Sequence, residues 1–203
     1  MIVIVDYGMG NLGSIENMFK KIGISAIISS DLNIISKGSK IVLPGVGSFD
    51  SAMKKISSSG LLNVLNDKAL VEKVPVLGIC LGMQLLTNSS EEGTHSGLKW
   101  IDAETLSFKG RVNESLKIPH MGWNSVNFHS SNTILQDYEM DVKFYFVHSY
   151  FVKVKNESNS LMSTNYGLSF DSAIVRENIF GVQFHPEKSH KFGMQFFKNF
   201  VKL

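Results

Sequence analysis

Four short runs in the first half of the chain are apolar at nearly every position: Ile2–Val5, Ala26–Ser29, Lys40–Leu43 and Val76–Ile79. Runs of this length, rich in β-branched residues, predict strands buried on both faces. Between them the period changes. Leu12, Ile15, Phe19 and Ile22 recur at helical spacing and Gly23 stops the run, which predicts a helix over about Asn11–Ile22. Further helix-like stretches fall at about Ser48–Ser57 and Leu61–Ala69. Strand alternating with helix predicts a mostly parallel central sheet with flanking helices.

The second half has a different rhythm. Lys143–Val147, Phe151–Val154, Leu161–Thr164, Ser172–Val175 and Ile179–Phe184 predict short strands. Polar turns such as Lys155–Asn159 separate them, so they predict an antiparallel β extension of the sheet in the C-terminal half. The stretch Lys188–Leu203 places Phe192, Phe196, Phe197, Phe200 and Val201 on one helical face, as a docking helix packed by its aromatic stripe. No repeat, low-complexity tract or linker interrupts the chain, and the expectation is a single α/β domain over residues 1–203.

Composition narrows the class. A length of 203 residues supports one domain with a substantial core. Lys+Arg 20 against Asp+Glu 18 leaves a net charge of +2, which gives no electrostatic reason to expect nucleic acid or a membrane surface. No apolar run approaches membrane-spanning length. The start lacks a basic region before its apolar run, and Asp6 interrupts early, unlike a signal peptide. A single cysteine excludes an internal disulfide and points to a reducing compartment, so a cytoplasmic location is expected.

Gly8-Met-Gly10-Asn-Leu-Gly13 is a G-x-G-x-x-G between the first strand and the first helix, and Asp31 falls about where a ribose-binding carboxylate would. The stretch admits two readings: pyrophosphate on a helix N-terminus, or a tight turn in which glycines let the chain reverse.

The only cysteine lies in Gly78-Ile-Cys80-Leu-Gly82, after an apolar strand and before a helix-like run. This is the layout of a nucleophile elbow with cysteine in place of serine. A sharp strand-to-helix turn crowds the backbone, so side chains two residues either side of Cys80 would clash. The turn lifts the sulfur above the sheet and favours thiolate at the positive end of the helix. It aims the Leu81 amide where an oxyanion forms. A cysteine nucleophile needs a base and an orienter. His185-Pro186-Glu187 offers both: in extended chain, side chains two apart share a face, and Pro186 holds the pair extended. Pro44-Gly-Val46-Gly47 follows another strand and leaves backbone amides free for a second oxyanion donor.

Pro44–Gly47, Gly78-Ile-Cys-Leu-Gly-Met-Gln84 and His185–Glu187 together resemble the class I (triad) glutamine amidotransferases, whose fold is flavodoxin-like. Asp6–Asn11, Pro119-His-Met-Gly-Trp-Asn124 and Phe144–Tyr150 extend the resemblance to the glutaminase subunits of imidazole glycerol phosphate synthases, over essentially the whole chain. The resemblance implies that Cys80 attacks the side-chain amide of glutamine and forms a thioester. His185 protonates the departing ammonia and then activates water, and Glu187 holds His185. It implies an oxyanion site at Val46, Gly47 and Leu81, and a glutamine pocket at Gly47, Gln84, Glu92, Ser149 and Tyr150. It implies a heterodimer with a cyclase subunit, a (β/α)₈ barrel that takes up the ammonia in histidine biosynthesis. Asn11, His120, Met121, Trp123 and Lys188 match positions that face the cyclase. No cofactor and no metal are expected. Val46 stands where related enzymes often carry glycine, which implies a poor glutaminase until the cyclase is occupied. The Gly8–Gly13 turn then becomes part of a partner-facing loop, and Asp31 a strand-end residue in solvent.

Three stretches depart from the family pattern: Leu86-Thr-Asn88, Trp100–Thr105 and the tail Glu187–Gly193. The tail resembles versions carried beside surface-sugar genes, where the same glutaminase chemistry feeds a synthase that aminates a sugar. That is the second reading. A third, of another class, is a non-catalytic flavodoxin-like nucleotide-binding module with an inert cysteine. A related cysteine peptidase would draw its histidine from beside the elbow, where this chain has Leu81.

Overall fold

The computed structural model describes residues 1–138 and 141–203. Among these, the strands of the first half are β1 (Ile2–Val5), β2 (Ala26–Ser29), β3 (Lys40–Leu43), β4 (Val76–Ile79), β5 (Ser89–Ser90) and β6 (Ala103–Ser107). Those of the second half are β7 (His120–Ser125), β8 (Asn127–Phe128), β9 (Lys143–His148), β10 (Tyr150–Val154), β11 (Ser160–Asn165), β12 (Ser169–Arg176) and β13 (Ile179–Val182). The helices are α1 (Leu12–Lys21), α2 (Leu32–Ser36), α3 (Phe49–Ser58), α4 (Leu61–Asn66), α5 (Leu81–Leu85) and α6 (His190–Lys202).

The main sheet runs β2-β1-β3-β4-β13-β12-β10-β6-β5, with β11 and β8 branching from β12. From β2 to β13 every neighbour is parallel. The order reverses direction between β1 and β3, and in open α/β sheets ligands gather beyond the carboxyl ends of the strands. Beyond β13 the pairing turns antiparallel through β12, β10 and β6. A separate ribbon pairs β7 with β9, matching His120 with His148 and Trp123 with Tyr145.

Burial explains the unbroken apolar runs. Ile2, Ile4, Val42, Leu77 and Ile79 pack into one core beneath the sheet. Val3, Val5, Ile41, Leu43 and Val76 pack into a second core on the other face. The period of two is present, but both phases meet protein. Helix α6 docks as its aromatic stripe requires: Phe196, Phe197 and Phe200 are fully buried, and Phe197 meets Phe19 of α1 at 4.7 Å between ring centroids. No helix among the described residues is long and apolar enough to cross a membrane.

The structure corrects the sequence reading in several places. The expected strand Ile179–Phe184 stops at Val182, and it joins the two halves of the sheet, parallel to β4 and antiparallel to β12. Helix α2 was not expected, since five residues are too few to show a period. Asp31, exposed and two residues past the end of β2, is its N-cap, with Oδ1 accepting from the Asn33 N–H at 2.7 Å. Strands β6 and β7 were also missed, because they mix polar and apolar residues and form by pairing with distant segments, β6 between β10 and β5 and β7 against β9.

Candidate active site

Three neighbouring parallel strands end side by side, and each delivers one piece of the site. Strand β3 runs into Pro44–Gly47, β4 into Cys80, and β13 into Gln183–Glu187. Adjacent strands lie about 4.8 Å apart, so the three loops converge with Cys80 in the middle.

Cys80 sits at the N-cap of α5 with φ 54° and ψ −107°, a region that a side chain enters only at a cost of about 1–3 kcal/mol. The surrounding contacts impose it. The Cys80 N–H donates to the Val182 carbonyl at 2.7 Å. A Cβ on Gly78 would lie 2.5 Å from the Gly82 carbonyl oxygen, and one on Gly82 would lie 1.8 Å from that of Leu43. Both flanking glycines are therefore required by close backbone approach, as the elbow pattern predicts. The sulfur is nearly buried, at 7% exposure for the residue.

His185 and Glu187 meet as an ion pair, with imidazole Nδ1 and carboxylate Oε1 2.7 Å apart and both side chains 3% exposed. The route to that contact differs from the expected extended dipeptide. Pro186–Lys188 is a 3₁₀ turn that Pro186 starts, because its fixed φ suits a first helical position and its missing N–H costs nothing there. The turn brings Glu187 back over His185. Burial pulls the imidazole pKa down, but Cys80 and Glu187 outweigh it and hold the value up at about 10. His185 Nε2 and Glu187 Oε2 are buried without a hydrogen-bond partner among the described residues.

A cleft of about 300 Å³ opens over the sulfur. Val46, Gly47, Leu81, Gln84, Glu92, Ser149 and Tyr150 line it, together with Pro119, Val147 and His148. Glu92 Oε2 accepts from the Phe49 N–H at 3.0 Å, at the first turn of α3. Burial raises its pKa against that hydrogen bond, and the Asp50 charge adds to the rise. The loop Gly45–Gly47 is braced from the first βα turn: the Tyr7 hydroxyl donates to the Pro44 carbonyl, and a Cβ on Gly47 would reach within 2.5 Å of Met9 Cε. The Gly8–Gly10 turn thus packs against this loop. Val46 is 46% exposed at its tip.

Sequence reasoning missed Gln183. It is fully buried, and its Nε2 donates to Cys80 Sγ at 3.6 Å while its Oε1 accepts from Gln84 Nε2 at 3.2 Å. Its position two residues before His185 was the available signal, since alternation puts both on one face.

The residues expected to face a partner divide. Asn11, Met121, Trp123 and Lys188 are exposed, with Trp123 at 47% and stacked on His190 at 5.5 Å. Lys188 Nζ lies 5.8 Å from the Tyr145 ring centroid. His120 does not join them. It is 2% exposed and stacked between Phe146 and Tyr166, because alternation along β7 turns it inward while Met121 and Trp123 point out.

Comparison with known proteins gives a consistent picture. The family model for glutamine amidotransferase class-I matches residues 3–203. The chain is similar to imidazole glycerol phosphate synthase subunit HisH 2 of Methanococcus maripaludis, at 55% identity over 100% of this chain and 99% of that one. It is similar to the protein of the same description from Pseudomonas aeruginosa, at 48% identity over 100% of both. A crystal structure of a glutamine amidotransferase superposes with TM-score 0.76 at 14% identity, over 100% of this chain and 98% of that one, a likeness of fold.

Proposed function

The chain belongs to the class-I glutamine amidotransferase family, among the HisH subunits of imidazole glycerol phosphate synthase, and from that premise we propose that it hydrolyses glutamine at Cys80 and passes the ammonia to a cyclase subunit in histidine biosynthesis. The observation that carries the reading is the elbow cysteine held beside the buried His185–Glu187 pair.

With a pKa near 10, His185 enters the cycle as imidazolium. Cys80 Sγ, as its anion, attacks the side-chain carbonyl carbon of glutamine. The charge that builds on the carbonyl oxygen is met by the Leu81 N–H and an N–H of the Val46–Gly47 loop. The C–N bond breaks as nitrogen takes the proton from His185, and ammonia leaves behind a thioester. Neutral His185 then draws a proton from water as its oxygen attacks the thioester carbon. Glutamate departs, and the thiolate–imidazolium pair is restored. Glu187 keeps Nδ1 protonated, so Nε2 is the nitrogen that gives and takes. Gln84, Glu92, Ser149 and Tyr150 supply carboxylate, amide and backbone groups for the ammonium and carboxylate of the substrate. The exposed Asn11, Met121, Trp123 and Lys188 form the face that meets the cyclase, a (β/α)₈ barrel, in a heterodimer.

The test is glutamate release by the wild type and Cys80→Ala, each alone and with the organism's imidazole glycerol phosphate cyclase subunit bound to a nucleotide ligand. Activity that rises with the cyclase and vanishes in Cys80→Ala is expected. Cys80-dependent activity indifferent to the cyclase would keep the chemistry and move the partner to a sugar-aminating synthase. Activity retained without Cys80 would overturn the triad.

A further inference from the structure

A run of hydrogen bonds, exposed at its β7 end and buried where it reaches the sulfur, connects strand β7 to the nucleophile, and its direction is fixed at both ends. At the β7 end, the Ser125 N–H can only donate, and it does so to Asn124 Oδ1 at 2.8 Å. The Asn165 carbonyl can only accept, and Asn124 Nδ2 lies 2.9 Å from it. The amide orientation is therefore forced, and the second N–H of Nδ2 serves His120 Nε2 at 3.1 Å. That nitrogen must be bare, so His120 carries its proton on Nδ1. At the pocket end, the Tyr150 carbonyl accepts from His148 Nδ1 at 2.7 Å. His148 therefore also carries its proton on Nδ1 and has a bare Nε2. The two facing nitrogens, His120 Nδ1 and His148 Nε2, are 2.9 Å apart. The contact therefore has one donor, His120 Nδ1–H, and one acceptor, His148 Nε2.

Charge does not disturb the pattern. Burial lowers the His120 pKa to about 4. Burial lowers that of His148 to about 3 against the pull of the Tyr150 carbonyl, and the neighbouring His120 and His185 add to the fall. Both rings are neutral near pH 7. Packing holds them in place: His120 lies 4.8 Å from Phe146 and 4.1 Å from Tyr166, at interplanar angles of 26° and 25°.

The run continues past the histidines. The Tyr150 carbonyl accepts a second hydrogen bond, from Gln84 Nε2 at 3.3 Å. Gln84 Nε2 also serves Gln183 Oε1 at 3.2 Å, and Gln183 Nε2 serves Cys80 Sγ at 3.6 Å. His148, Gln84 and Tyr150 line the cleft, whereas His120 lies behind it.

We propose that His120 and His148 act as a fixed-tautomer relay: two positioning residues that hold the Tyr150 carbonyl, and with it the Gln84–Gln183 pair, in register with Cys80. The relay assigns to His120 a role in glutamine binding that it performs without touching glutamine. It also ties the pocket to β7, whose opposite face presents Met121 and Trp123 to solvent. The proposal rests on the glutaminase reading.

The experiment has two parts, both on the full chain. The first is ¹⁵N NMR of the histidine rings in the wild type. The relay requires the Nδ1–H tautomer for both His120 and His148, whereas free imidazole side chains favour Nε2–H. An Nε2–H signal from either ring overturns the proposal, whatever the activity. The second is glutamine kinetics, in complex with the cyclase subunit, for His120→Phe, His148→Phe, the double variant and His120→Asn. Phenylalanine keeps a ring in the aromatic box and removes the polar atoms. Each single variant is expected to raise KM for glutamine about tenfold, the scale of one lost hydrogen bond, with a smaller fall in kcat. The double variant should be no worse than His148→Phe, because both changes break one chain. His120→Asn, whose amide nitrogen sits near the place of Nδ1, should recover most of the loss. An unchanged KM in His120→Phe, or losses that multiply in the double variant, overturns the relay. If the wild type itself releases no glutamate, the glutaminase reading fails, and the NMR result still decides the tautomers.

Discussion

Replacing Glu187 with Gln tests the catalytic pair in a way that separates charge from geometry. Glutamine has the same shape and its Oε1 still accepts from His185 Nδ1, so the ring keeps its orientation. What is lost is the anion. With both side chains 3% exposed, solvent screens little of the interaction at 2.7 Å. A hydrogen bond to a charged group is worth about 1.5–3 kcal/mol and a neutral one about 1 kcal/mol, so the imidazolium loses about 1–2 kcal/mol. At about 1.36 kcal/mol per pH unit, the His185 pKa falls by about one unit from its value near 10. The sign differs between the two half-reactions. In acylation His185 gives up its proton, which a weaker hold does not hinder. In thioester hydrolysis it must gain one, so that step slows by roughly 5- to 30-fold. The assay is a pH–rate profile of glutamate release together with rapid-quench measurement of the thioester. The thioester should accumulate, and the alkaline limb should move about one unit lower. An unmoved limb with unchanged thioester turnover would show that another group supports His185.

Gly82→Ala should destabilise the fold by about 3 kcal/mol or more, because the new Cβ would lie 1.8 Å from the Leu43 carbonyl and neither strand end can yield; a thermal midpoint equal to wild type would refute the close approach. Trp123→Ala should weaken association with the cyclase while changing the stability of the free chain little, since the ring is 47% exposed and stacks only on its rim neighbours; an undiminished complex measured by calorimetry would remove Trp123 from the interface. The buried histidines predict opposite pH dependences. His120 and His148 have folded pKa values below the ordinary 6.5, so the stability they allow is full above 6.5 and is lost as pH falls through about 4 and 3. His185 has a raised value, so its contribution is full below 6.5 and is lost as pH rises through about 10. Urea unfolding of wild type and His148→Phe between pH 4 and 7 should show the acid slope flatten in the variant; equal slopes would mean that other groups govern acid unfolding.

The sequence by itself determined most of the parallel half of the fold. Strands β1 to β4 match the apolar runs residue for residue; β1, β3 and β4 do so because a strand buried on both faces must be apolar nearly throughout, whereas β2 is the edge strand and leaves Ile27 41% exposed. The elbow was legible for a similar reason: a backbone that passes 1.8 Å from a would-be Cβ leaves only glycine, and glycines on both sides of one cysteine are visible in a string of letters. His185 and Glu187 were legible as partners by their spacing, although alternation along a strand was the wrong account of it. Tertiary structure decided what depends on chain segments far apart. Strand β7, with Gly122 and three polar positions, has no period that predicts it and forms only against β9. That pairing buries His120, which the family resemblance had put among the cyclase-facing positions, and sets it 2.9 Å from His148, 28 residues away. Gln183 reaches Cys80 across 103 residues. Local sequence encodes the path of the backbone through sterics and burial, but which side-chain nitrogen faces which carbonyl is set by long-range register, and no window of neighbouring residues contains it.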